Sequence, residues 1–202
     1  MRPAGARDKG SEFEVVVAKA ITQSFGLEPS MYEYNFPRSP DSGARETPAW
    51  KGDIAPVPFM FHYFPFVIEC RFRQEWDFPG LMAGKSAAYA WFDEVTKHSL
   101  NVRVASSVLS RLEAMSGVSP HYSQPLLVFK RNRIPAMVMV NTHLVDALSA
   151  NSGFWQSDGW ELRTCWKGKF AYITTLTRFL ELWQSHLSHT GQTPLVPVGG
   201  ET

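Results

Sequence analysis

The chain has 202 residues, 44% of them apolar and 13% aromatic, which suits one well-packed domain and excludes a disordered chain. A net charge of +1 advertises no polyanionic partner at the level of the whole molecule, so any such contact must come from local clusters. Two cysteines, Cys70 and Cys165, exclude a disulfide scaffold and a cysteine-based structural zinc site, and their apolar surroundings read as buried thiols in a reducing compartment.

Residues 1–10 are polar and basic, with Arg2, Arg7 and Lys9, and are expected to be flexible, ahead of a single domain over 11–189. Ser11 followed by Glu14 has the spacing of a capping box, and Phe13, Val16, Val17, Ala20, Ile21 and Phe25 recur at helical intervals, predicting a helix over 12–25 stopped at Gly26. "MYEYNF" reads as a strand. "PRSPDSGARETPAWKG" is a long loop of the kind that is usually functional or mobile. Residues 52–57 and 65–72 read as two strands joined by an aromatic connection, and 81–97 as a helix. Residues 100–119 have mixed signals. "QPLLVFKRNRIPAMVMVN" is the clearest hairpin, Asn141 or Thr142 suits a helix cap, and "GWELRTCW" and "KFAYITTL" form a strand pair about Lys167–Gly168 before a last helix through His186. Residues 190–202 read as a disordered tail. The order of elements gives an α/β fold with a mixed central sheet flanked by helices. No apolar run approaches a membrane span and the N-terminus lacks a signal-peptide core, so no membrane partner and a cytoplasmic location are expected.

Several tempting motifs fail. "GLMAGKSA" lacks a phosphate-loop pattern, because Pro79 stands where the first glycine is needed and no apolar strand precedes it. The six histidines, His62, His98, His121, His143, His186 and His189, are read as having no His-x-x-x-His pair and no matching carboxylate spacing, and most as surface or capping residues. No nucleophile motif is present. Asp53 and Glu69 are different: both sit within runs of Phe, Val and Ile, and a buried carboxylate needs an ion pair, hydrogen bonds or a bound cation. Glu69 and Arg71, two apart on a strand, face the same side, with Cys70 opposite. If the two strands pair, Asp53 lies beside Glu69 and the pair offers oxygens to Mg²⁺. The alternative is an ion pair of each carboxylate with Arg71, Arg73 or Lys51, which spacing does not separate from a metal site.

The ordered set of a Glu, then Gly-Asp, then Glu-x-basic resembles the PD-(D/E)XK nuclease superfamily, and more narrowly phage resolvase-like endonucleases related to archaeal-type Holliday-junction resolvases. "KGSEFE" (Lys9–Glu14) is similar to the first-helix signature of that group, "RSPDSGAR" (Arg38–Arg45, with Ser42) to its substrate loop, and "GDI" and "VIECRFR" to its two catalytic strands. "PLLVFKRNR" resembles a later core strand, so the likeness runs over about two-thirds of the chain.

The resemblance implies a restriction-endonuclease-like core and a Mg²⁺-dependent endodeoxyribonuclease, with Mn²⁺ able to substitute, acting on branched DNA as a homodimer in the host cytoplasm. It implies Glu14, Asp53, Glu69 and the Cys70 carbonyl as metal ligands, and Arg38, Ser42, Arg45, Lys51 and Arg73 as DNA contacts. Arg71 stands where the family pattern has Lys. A guanidinium stays protonated and cannot be a general base, which leaves three readings: Arg71 acts electrostatically, Lys85 reaches the site in its place, or the protein binds DNA without cutting it.

Overall fold

In a computed structural model, residues 4–39, 52–61, 63–100, 123–142, 144–145 and 162–191 are described. Five strands form one mixed sheet: β1 (Phe66–Phe72), β2 (Gln124–Lys130), β3 (Met137–Asn141), β4 (Leu162–Trp166) and β5 (Lys169–Thr175), in the spatial order β1-β2-β3-β5-β4. Only β1 and β2 run parallel, and a parallel pair needs a crossover. The segment between them carries α4 (Phe78–Met82) and α5 (Ala88–Ser99), which pack on one face of the sheet. Helices α1 (Ala4–Ser24) and α6 (Leu176–His189) cover the other face. Two single turns, α2 (Tyr32–Asn35) and α3 (Pro58–Phe61), are brought together where Val57 N–H donates to the Asn35 carbonyl.

The strand text explains the layering. "PLLVF" and "MVMV" are apolar at every position because both faces of β2 and β3 are buried. On the α1 side, Phe13, Val17 and Ile21 meet Ile68, Val128 and Val138, and Phe64, Phe66, Phe179 and Trp183 form an aromatic cluster. Each such side chain contributes about 1.5–3 kcal/mol on burial, so this face holds α1 and α6 in place. On the α5 side, Tyr89, Phe92 and Val95 meet Val67, Leu127, Phe129 and Met139.

The fold departs from several sequence expectations. Helix α1 begins at Ala4, so Ser11 is an interior helical residue and no capping box forms; its hydroxyl instead accepts from Arg38 Nη2 at 2.9 Å. Val16 faces solvent, while the helix does end before Gly26, whose φ is 73°. "YEYN" is a helical turn rather than a strand: Pro29 opens a 3₁₀ turn, and the Asn35 side chain and the Phe36 N–H bond back to Met31 and Tyr32. Residues 52–57 form no strand, since Pro56 removes a ladder donor and Pro58 follows directly; Ile54 alone bridges to Ile68 and to Arg38. The helix expected over 81–97 is two, broken where Gly84 takes φ 67° and Lys85 N–H and Ser86 N–H both donate to the Gly80 carbonyl. Cys70 is buried as expected, but Cys165 is exposed.

The two hairpins form as read, with Lys167 and Gly168 at φ 48° and 74° in the β4–β5 turn. Asn141 caps the following turn through Leu144 N–H. The readings of residues 1–3, of 101–119, of Ser42, Arg45 and Lys51 in the long loop, and of the tail from 192 lie outside the described residues. Among the described residues no helix is long and apolar enough to cross a membrane.

Candidate active site

Strand β1 changes character along its length. Its even-numbered residues Phe66, Ile68 and Cys70 enter the core under α1, while odd-numbered Val67 faces α5 and is followed on that side by Glu69 and Arg71. The backbone alternates too. Pro65 and Arg73 bond to β2, whereas the Ile68 carbonyl and Cys70 N–H point to the open edge. The Gly52–Asp53 segment docks there: Asp53 N–H donates to the Ile68 carbonyl at 2.8 Å, and Cys70 N–H donates to Asp53 Oδ2 at 2.8 Å.

That docking requires glycine at 52. Gly52 has φ 94°, and a Cβ there would lie 2.5 Å from the Ile68 carbonyl oxygen. Ser39 closes the arrangement, its N–H donating to the Asp53 carbonyl at 2.9 Å and its hydroxyl to the Gly52 carbonyl at 2.7 Å. The Gly-Asp pairing in the sequence is therefore a device for bringing one carboxylate onto the edge of β1.

Arg71 lies among the acidic groups. Its Nη2 is 2.5 Å from Glu69 Oε1 and 3.2 Å from Glu94 Oε2, and its Nη1 is 3.5 Å from Asp53 Oδ2 and from the Cys70 carbonyl. Glu14, on α1, is held by Arg38, whose Nε donates to Glu14 Oε2 at 2.7 Å. One guanidinium thus serves three carboxylates around β1, and the two buried ones, Glu69 and Asp53, are displaced in their titration. Burial, then the neighbouring Asp53 charge, pushes Glu69 up to about 8 against the pull of Arg71. Burial also raises Asp53, and burial with the Asp53 charge raises Glu14. The Cys70 thiol is raised well above its ordinary value by burial, so it stays protonated and only its main chain serves the site.

The structure therefore brings Asp53, Glu69, Cys70 and Arg71 together, with Glu14 close enough for its charge to be felt. Arg73 is exposed at the end of β1. Arg38 is turned inward onto Glu14 and Ser11. Lys85 is exposed in the turn before α5, at the end of that helix away from Glu94, and among the described residues forms no ion pair with these carboxylates. Glu94 was not singled out from the sequence, and the reading of His98 as a surface or capping residue with no matching carboxylate is corrected by the structure. Glu94 and His98, four apart on α5, both face β1, and His98 Nδ1, buried without a hydrogen-bond partner, is 3.9 Å from Glu69 Oε2. Their Glu-x-x-x-His spacing was the available signal.

The donor set suits a hard divalent cation: carboxylates crowded enough to resist ionisation, beside a main-chain carbonyl on an open strand edge. Among the described residues no three acidic, histidine or cysteine side chains are already arranged as a metal cage; the guanidinium is the cation among these oxygens. No curated protein and no solved structure matches the chain significantly. A family model described as "Phage putative PDDEXK endonuclease" matches residues 5–189, spanning α1 through α6 and every residue of the cluster. The chain belongs to this phage PDDEXK endonuclease family.

Proposed function

We propose that the protein is a metal-dependent endonuclease that cuts branched DNA, of the Holliday-junction type, as a two-fold dimer. The observation that carries the reading is the buried Asp53–Glu69 pair, assembled on β1 by a glycine-dependent docking and outnumbering, with Glu94, the one guanidinium they share, so that burial raises both members of the pair. A structural ion pair needs no such excess. The preference for branched DNA rests on the ordered likeness of the sequence motifs to resolvase-like endonucleases, and two strands to cut suit a symmetric dimer.

Asp53, Glu69 and the Cys70 carbonyl would hold Mg²⁺, or Mn²⁺ in its place, with Glu14 as an outer ligand. A bound ion of this kind supplies an activated water and stabilises charge on the scissile phosphate. The chain's own groups do the rest. Cys70 N–H fixes the rotamer of Asp53, and Arg38 fixes that of Glu14. Arg71, rather than Lys85, provides the positive charge near the phosphate; permanently protonated, it neutralises and orients but takes no proton. Exposed Arg73, with Ser42, Arg45 and Lys51 of the long loop, would meet the DNA backbone and position it without reading sequence.

The test is a four-way junction and a linear duplex of matching sequence, each incubated with the protein and Mg²⁺ or with chelator. The reading expects the junction alone to be cut, and only with Mg²⁺. Equal cutting of both substrates would make the protein a plain duplex nuclease. Binding without cutting would support the reading as a non-catalytic DNA-binding module, which the ion pairs of Arg71 with Asp53 and Glu69 favour.

A further inference from the structure

Glu94 has no place in the family pattern described above, yet it shares the Arg71 guanidinium with Glu69 and Asp53. We propose that Arg71 is the resident cation of the site and that Glu94 is the seat to which its guanidinium withdraws when a divalent ion takes Asp53 and Glu69. The inference rests on the metal-dependent reading given above.

The geometry is that of a group shared between two positions. Arg71 Nη2 is 2.5 Å from buried Glu69 Oε1 and 3.2 Å from Glu94 Oε2, on a side chain 51% exposed. The Glu69 and Asp53 side chains are only 7% and 12% exposed. A guanidinium and a divalent ion cannot both occupy the space beside those two carboxylates, because like charges at contact distance repel strongly away from bulk water. A guanidinium driven out without a partner would lose its ion pairs altogether. Glu94 removes that penalty: it already accepts from Nη2, it stands at the solvent rim, and a planar fork with five donors can pivot towards it without breaking every contact. The withdrawn guanidinium would then lie on the open side of the cluster, where a phosphate approaches. Glu94 acts here through Arg71 and is a positioning residue.

The proposal is tested by Mn²⁺ binding to the metal-free full-length protein, followed calorimetrically, for the wild type, Glu94→Gln, Arg71→Gln and the double variant. Arg71→Gln should bind Mn²⁺ about tenfold or more tightly than wild type, because the competing cation is gone. Glu94→Gln should weaken binding about tenfold when Arg71 is present but only about twofold in the Arg71→Gln background, the remainder being the loss of a nearby charge. Arg71→Lys, which keeps the charge and protects the fold, should show the same loss of coupling in smaller measure.

Equal weakening by Glu94→Gln in both backgrounds would overturn the proposal and make Glu94 a direct ligand or a bystander charge. Failure of Arg71→Gln to tighten binding, with Mn²⁺ still taken up, would overturn it by showing that the guanidinium does not compete. Absence of Mn²⁺ uptake by both wild type and Arg71→Gln is a different failure: it removes the metal-dependent reading itself, and this inference with it.

Discussion

Two polar clusters lie beneath helix α5, one near each end, and they are built in opposite ways. Near its N-terminus the Tyr89 hydroxyl reaches the Leu81 carbonyl at 2.5 Å and the Thr164 hydroxyl, while Thr164 Oγ1 donates to the same carbonyl at 3.1 Å. These groups are buried and neutral, and the Tyr89 ring stacks on Trp166. The cluster fastens α4 and α5 to β4 and leaves no charge unbalanced. Towards the other end, Glu94 and His98 face Glu69, Arg71 and Asp53, where one guanidinium answers three carboxylates and His98 Nδ1 is buried without a hydrogen-bond partner. A polar group kept for stability is satisfied within the fold. A cluster that burial leaves short of positive charge is what the proposed metal site requires.

The largest effect that separates the two clusters should come from the backbone under Asp53. Gly52→Ala places a side chain at φ 94° against the Ile68 carbonyl, adding about 1–3 kcal/mol of backbone strain before the clash is counted. Cleavage should be lost and the melting temperature should fall together, because Asp53 can no longer dock on Cys70. A variant with normal cleavage would show that the docking is unnecessary.

A smaller effect should appear in the pH dependence of stability. Glu69 is raised in the fold from 4.5 to about 8, so between these values the folded protein holds a proton that the unfolded chain has released. Its stability contribution is full below about 4.5 and is lost as the pH rises through about 8. The slope is at most about 1.4 kcal/mol per pH unit for one proton. Denaturant unfolding across this range should show stability falling with pH in the wild type and a flatter profile in Glu69→Gln. Parallel profiles would mean that Glu69 titrates normally.

The smallest effect belongs to the balanced cluster. Tyr89→Phe removes one hydroxyl while Thr164 still serves the Leu81 carbonyl, so the loss should be about 1 kcal/mol, with cleavage unchanged. A fall in cleavage would tie the two ends of α5 together and blur the comparison.

Much of this was legible in the sequence where local rules govern. The β2–β3 hairpin, the Lys167–Gly168 turn and the shared face of Glu69 and Arg71 follow from strand alternation and turn chemistry. Gly52–Asp53 was legible as a motif, although the segment makes one bridge to β1, through Ile54, instead of a paired strand. Ser11 misled because its hydroxyl is claimed by Arg38, 27 residues away, and Tyr32 and Tyr34 misled because local bonds after Pro29 outweighed their strand propensity. Glu94 was missed and His98 was misread because their place depends on how α5 crosses β1, which periodicity alone does not give.

The central claim is that the Asp53–Glu69 pair is a reaction site and not a structural ion pair. The direct measurement is cleavage of a four-way junction with Mg²⁺ by Glu69→Gln, with its melting temperature at pH 8 recorded on the same preparation. Gln is close to isosteric and removes a charge that the fold accommodates poorly, while Arg71 keeps Asp53 and Glu94 as partners. The account predicts cleavage abolished and a melting temperature equal to or above that of the wild type. Undiminished cleavage, or a melting temperature that collapses because Arg71 has lost a necessary partner, would contradict it.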